Sequence, residues 1–229
     1  MSLTQPAQPR PSRPVRLDGS SLTLPELARL GAGDGVEVAP EAFDRVRRGE
    51  VLADALAAER PLYGRTTGVG ANRDQPVEDE PDTRGEHGVA ILRSHAAGWG
   101  APLDPTIVRA GLGIRANQLL SGGSGVEPGL PAALAALACG EEADLPVVHR
   151  YGALGTSDLT ALAEVGLTLL GERPRAGGAA RRSHVLRSVD ALPLMSSHAF
   201  TLAEGALGCH ALQRLSRSAQ RLCRNCRHS

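Results

Sequence analysis

The chain is predicted to be mainly α-helical on three observations. Apolar residues recur at helical spacing across most of residues 24–222, alternating β-branched runs are scarce, and residues 130–139 are dominated by alanine and leucine with no β-branched side chain. Short strands are expected at most near residues 36–38 and 147–148. Residues 1–20 read as a disordered arm, because a polar, proline-rich stretch buries too little apolar surface to offset its ordering entropy. Residues 24–30 and 40–59 carry helical spacing, the second with Phe43, Val46, Val51, Leu52, Leu56 and Ala57 on a recurring face. Gly64, Gly68 and Gly70 then break the pattern into a loop that holds Tyr63. Helices are predicted over 88–98 and 105–120, the latter with Val108, Leu112, Ile114 or Arg115, and Leu119 on one side, followed by a glycine-rich turn at 121–125.

The stretch 144–157 is the least regular, with Pro146, Gly152 and Gly155, and it ends where Asp158 can cap a helix over 159–170. That helix is apolar nearly all round, which implies burial within a bundle. Residues 173–187 are rich in arginine and glycine and read as an exposed excursion. Helix is predicted again over 197–222, with Leu202, Leu207, Leu212 and Leu215 spaced for one face. The organisation is therefore an arm (1–20), a helical domain (21–222) and a tail (223–229), without an internal repeat of fixed period.

Composition narrows the function classes. The 229 residues carry 25 basic and 25 acidic side chains, so no basic field favours nucleic acid or an anionic membrane. The five aromatics, Phe43, Tyr63, Trp99, Tyr151 and Phe200, are too few for base-stacking platforms or membrane girdles, which makes a tyrosine within a motif informative. No run approaches the ~18 apolar residues of a membrane span and no secretion signal opens the chain, so a cytoplasmic address is expected. Four unevenly spaced cysteines argue against a disulfide framework. Cys223 and Cys226 with His228 lack a second ligand pair for zinc, and residues 121–125 lack the lysine of a phosphate loop. His149, His184, His198 and His210 show no i, i+4 pairing and read as surface or interface residues.

Three segments carry chemistry, and they occur in a recognisable order. Tyr63-Gly64-Arg65-Thr66-Thr67-Gly68-Val69-Gly70 resembles the Tyr-Gly-x-x-Thr-Gly-x-Gly loop of the histidine and aromatic amino acid ammonia-lyase family. Leu92-Arg93-Ser94-His95-Ala96-Ala97-Gly98, followed by Arg115-Ala116-Asn117 and Gly122-Gly123-Ser124-Gly125, is similar to that family's next stretch, its Ser-His pair being closer to the histidine lyases. Gly152-Ala153-Leu154-Gly155-Thr156-Ser157-Asp158-Leu159 resembles the segment from which the family builds its electrophile. Over residues 22–222 the resemblance implies the N-terminal half of an ammonia-lyase subunit. It also implies elimination of ammonia from an L-amino acid, histidine by preference, in a homotetramer whose sites are shared between subunits. In that reading Tyr63 takes the β-proton with Arg65 supplying positive charge; the alternative is that Tyr63 plugs the glycine loop. His95 lies by the substrate side chain or is a satisfied core histidine, and Gly70 and Ser196 belong to the substrate site.

The family's electrophile is methylidene-imidazolone, formed when a tripeptide cyclises through the nitrogen of its third residue, a compressed turn that glycine tolerates. Here the precursor is Thr156-Ser157-Asp158, one residue short of the family pattern Gly-Ala-Ser-Gly-Asp-Leu, and the residue lost is the glycine. Ser196 stands where the family places asparagine, offering a hydroxyl in place of an amide. Thr66 also replaces an asparagine, and the chain ends at Ser229, about half the family's usual length, without the family's carboxylate-binding arginine. An impaired lyase is therefore expected. The alternatives are an electrophile-less homologue that uses Tyr63 for other proton transfer on a small metabolite, and a non-catalytic subunit pairing with a complete homologue. A shortened product should also expose apolar helix faces, such as that of 159–170, and self-associate or be unstable alone.

Overall fold

The computed structural model describes residues 13–77, 86–153 and 155–226. The chain runs β1 (Val15–Leu17), α1 (Leu24–Gly31), β2 (Val36–Val38), α2 (Pro40–Glu59), α3 (Glu86–His95), β3 (Trp99–Pro102) and α4 (Pro105–Leu120). It continues with α5 (Gly129–Cys139), β4 (His149–Tyr151), α6 (Leu159–Leu170), α7 (Ala191–Met195) and α8 (Ala199–Cys226). The fold is mainly α, as the periodicity predicts. No helix among the described residues is long and apolar enough to cross a membrane.

Local chemistry sets the helix starts. Thr23 and Glu26 form a reciprocal capping box at α1, the Thr23 N–H reaching Glu26 Oε2 at 2.9 Å. Asp104 Oδ1 accepts the Thr106 N–H at 2.8 Å ahead of Pro105, which suits the first turn of α4. Helix α4 is the hub and packs on α1, α2, α5 and α8. A Cβ added at Gly111 would lie 2.5 Å from the Phe200 ring, so the glycine lets α8 approach α4 closely.

Several expectations are corrected. Of the predicted arm, residues 1–12 lie outside the described residues, whereas β1 pairs in parallel with β2, Val15 opposite Val36, and buries Val15 and Leu17. Two apolar side chains two residues apart suffice to seat one face of a short strand. The second ribbon pairs β3 antiparallel to β4, one residue beyond the Val147–Val148 expectation, because Val148 is buried in the core instead. Helix α6 is buried along its length, as its composition implies, and so is not the exposed apolar face. That face belongs to α8, where Leu202, Leu212 and Leu215 are exposed and Ala199, Phe200 and Ala203 are buried. On α2 only Ala42 and Val46 are fully buried; Val51 and Leu52 face solvent. The tail is helical through Cys226. The excursion at 173–187 folds back in part: Arg175 is buried beside Asp144, and the N–H groups of Ser183 and His184 reach Leu169 O.

Candidate active site

Leu62 O accepts the N–H groups of Arg65 and Thr66, and the Thr66 hydroxyl accepts the Leu62 N–H at 2.8 Å, closing a tight turn around Tyr63. Gly64 has φ +68°, and a Cβ there would lie 2.2 Å from Leu192 Cδ2, so only glycine allows α7 to seat against the turn. The loop returns through a bridge between Thr67 and Pro76 and brings the Gly70 N–H to the Tyr63 hydroxyl oxygen at 2.9 Å. The phenol is thereby fixed in position while its ring stays largely exposed.

Tyr63 opens onto a cleft of about 350 Å³ whose walls include Arg65, Arg115, Ser124, Leu192 and Ser196. Three residues singled out from the sequence, Tyr63, Gly70 and Ser196, thus come together. The Ser196 hydroxyl donates to Leu192 O at 2.8 Å and retains its acceptor capacity. Arg65 does not act as expected: its guanidinium is buried in a pair with Asp54 and donates to Gly125 O at 3.0 Å. Behind the cleft, Asp190 is fully buried, neither carboxylate oxygen has a well-aligned hydrogen-bond donor among the described residues, and burial pushes it up to about 7. Arg187 and, after it, the nearby Glu127 N–H oppose that rise, and Arg187 itself pairs with Glu50 and Asp54.

His95, Thr156, Ser157 and Asp158 do not line this cleft. His95 is half-buried at the end of α3, its Nδ1 2.8 Å from Ile91 O. Thr156 is exposed, and Ser157 and Asp158 are buried. The Asp158 N–H, the nitrogen that would have to close a methylidene-imidazolone ring, donates to Ser197 O at 2.7 Å. Its carboxylate does not cap α6. It accepts the N–H groups of Phe200 at 2.8 Å and Thr201 at 3.0 Å and the Thr201 hydroxyl at 2.7 Å, capping α8. With the glycine missing and its replacement held on both sides, these residues do not fit the electrophile.

Glu164, wholly buried on α6, fastens the far side of the same segment. Its carboxylate accepts the His149 N–H and sits 2.8 Å from His149 Nδ1, with Arg173 at 3.2 Å. His149 and His184 are therefore partly buried and held against carboxylates. His184 lies 3.1 Å from Glu127, and burial lowers its affinity for a proton. Sequence reasoning missed Glu164 and Asp190. Arg115 was visible as a cation on the apolar side of α4, a signal of a buried charge needing partners.

The helical scaffold and the glycine loop that presents a tyrosine hydroxyl define the class: the chain belongs to the aromatic amino acid lyase family, whose model matches residues 22–224. Within it, the chain is similar to histidine ammonia-lyases. It is 38% identical over 148 residues to that of Streptomyces coelicolor, covering 64% of this chain and 28% of that protein. To that of Symbiobacterium thermophilum it is 35% identical over 217 residues, 88% of this chain and 42% of that protein. The crystal structure of histidine ammonia-lyase from Trypanosoma cruzi matches 85% of this chain and 39% of its own with a TM-score of 0.69 at 27% identity. The chain spans less than half the length of these relatives.

Proposed function

We propose that the chain is an ammonia-lyase-type protein that takes a small L-amino acid, histidine by preference, into the Tyr63 cleft, and that its elimination activity is strongly impaired. The observation that carries this reading is the Tyr63 hydroxyl, fixed by the Gly70 N–H at the mouth of a cleft shared with Ser196. Tyr63 is the base that takes the β-proton. General base catalysis supplies about 10²- to 10⁴-fold, short of the 10⁶-fold and more that enzymes provide. An α-ammonium group remains a poor leaving group without an electron sink, and Thr156-Ser157-Asp158 does not fit one. The exposed leucines of α8 support assembly into a homo-oligomer, or with a complete homologue, and a cytoplasmic location belongs to the same reading.

The test is the rise of urocanate absorbance from L-histidine. No useful turnover is expected, and any trace should vanish in Tyr63→Phe. Inserting glycine between Ser157 and Asp158 should restore the near-ultraviolet absorbance of methylidene-imidazolone, quenched by borohydride, before it restores turnover. Clear turnover by the unmodified chain, abolished in Tyr63→Phe, would show that elimination is not impaired. The second reading, other proton-transfer chemistry by Tyr63, is favoured by the same intact loop beside an unfit electrophile segment.

A further inference from the structure

Arg115 reaches from α4 into the wall of the Tyr63 cleft with only 5% of its surface exposed. Its Nε donates to Leu194 O at 3.0 Å, Nη1 donates to Gln118 Oε1 at 2.9 Å, and Nη2 donates to Pro193 O. All three acceptors are neutral. A guanidinium has five N–H donors, so two remain on the Nη atoms. Among the described residues no carboxylate pairs with it, in contrast to Arg65 across the same cleft, which holds Asp54. Burial alone pulls the guanidinium down to about 10, a cost that an arriving anion would relieve. The cleft, about 350 Å³, is within the range of small-molecule sites.

We propose that Arg115 is the carboxylate-binding residue of the Tyr63 cleft: its two remaining Nη hydrogens hold the carboxylate of an amino acid while Nε stays on the Leu194 carbonyl. The assignment rests on the amino-acid reading above and names the group that orients the substrate. Arg115 needs no part of the chain beyond α8 for this role. The resemblance includes Arg115 without giving it a substrate role; the buried charge without a carboxylate partner among the described residues does.

Calorimetric titration of the full chain with L-histidine, L-histidinamide and acetate tests it. L-histidine should bind at least about tenfold more tightly than its amide, with acetate competing for the site. In Arg115→Gln that ratio should fall to about one, and Arg115→Lys should keep part of it, with circular dichroism confirming that each variant folds. An arginine that only braces α7 would lower the melting temperature and leave the acid-to-amide ratio unchanged. Equal affinity of acid and amide for the unmodified chain, no binding of any carboxylate, or a preference surviving in folded Arg115→Gln overturns the inference. If Arg115→Gln does not fold, equal affinity of acid and amide for the unmodified chain still overturns the inference, and a full preference retained in folded Arg115→Lys does so as well. The preference should persist in Tyr63→Phe, so an acid-over-amide preference accompanied by clear Tyr63-dependent turnover would remove the impaired-lyase reading and leave this one standing. Absence of turnover together with equal affinity for acid and amide would do the reverse.

Discussion

Asp190 is buried with no well-aligned hydrogen-bond donor on either oxygen among the described residues, and its carboxyl is held near 7 against an ordinary value of 3.8. A raised folded value means that the folded chain keeps a proton that the unfolded chain releases. Stability from this group is therefore full below about pH 4 and is lost as pH rises towards 7, at up to about 1.4 kcal/mol per pH unit. Asp190→Asn removes the charge at nearly constant shape. Its stability relative to the unmodified chain should improve by roughly 2–3 kcal/mol between pH 5 and pH 8, read from denaturant unfolding at the two pH values. An unchanged difference would mean that Asp190 ionises freely. Tyr63 was readable at this scale from its glycine-spaced loop. The engagement of Arg65 with Asp54 was not, because eleven residues of sequence separate them and only the return of the loop onto α2 brings them together.

At the scale of elements, Asp158 shows how a local rule can be satisfied in position and overruled in use. It precedes α6 as a cap should, yet its carboxylate serves the first turn of α8, forty-odd residues away, through Phe200 and Thr201. Glu164 ties β4 to α6, so the segment carrying Thr156 and Ser157 is fastened at both ends to different elements. Asp158→Ala would leave the buried Phe200 N–H unpaired, and a loss of roughly 2–4 kcal/mol is expected. Amide exchange should accelerate first in the opening turn of α8. Acceleration confined to the start of α6 would return Asp158 to the role its position suggests.

For the whole molecule, the most prominent feature is the exposed length of α8. Leu212, Leu215 and Leu222 stand two-thirds exposed at spacings of three and seven residues, which align on one side of a helix. Arg214, Arg217, Arg221 and Arg224 fall on the opposite side and do not obstruct that stripe. Self-association through this face is expected in light scattering at micromolar concentration. The triple variant Leu212→Ser, Leu215→Ser, Leu222→Ser should reduce the scattering mass to one chain with the near-ultraviolet signal of Trp99 retained. A clean monomer of the unmodified chain would show that the stripe is tolerated in water.

The sequence by itself determined the helical class, most helix spans, the family and the Tyr63 loop, because each depends on short-range terms: periodicity, capping residues, and glycines at spacings a loop demands. Burial within a core was legible where a segment is apolar on every side, as in α6. What only the tertiary structure decided was which side of an amphipathic helix meets a partner. The leucine stripe of α8 and Val51 and Leu52 of α2 look the same in sequence whether covered or bare. It also decided which charges are paired, leaving, among the described residues, Arg115 without a carboxylate in the cleft, Asp190 without a well-aligned donor, and Asp158 on α8. Pairing depends on a few ångströms between residues tens of positions apart, and no local pattern encodes that distance.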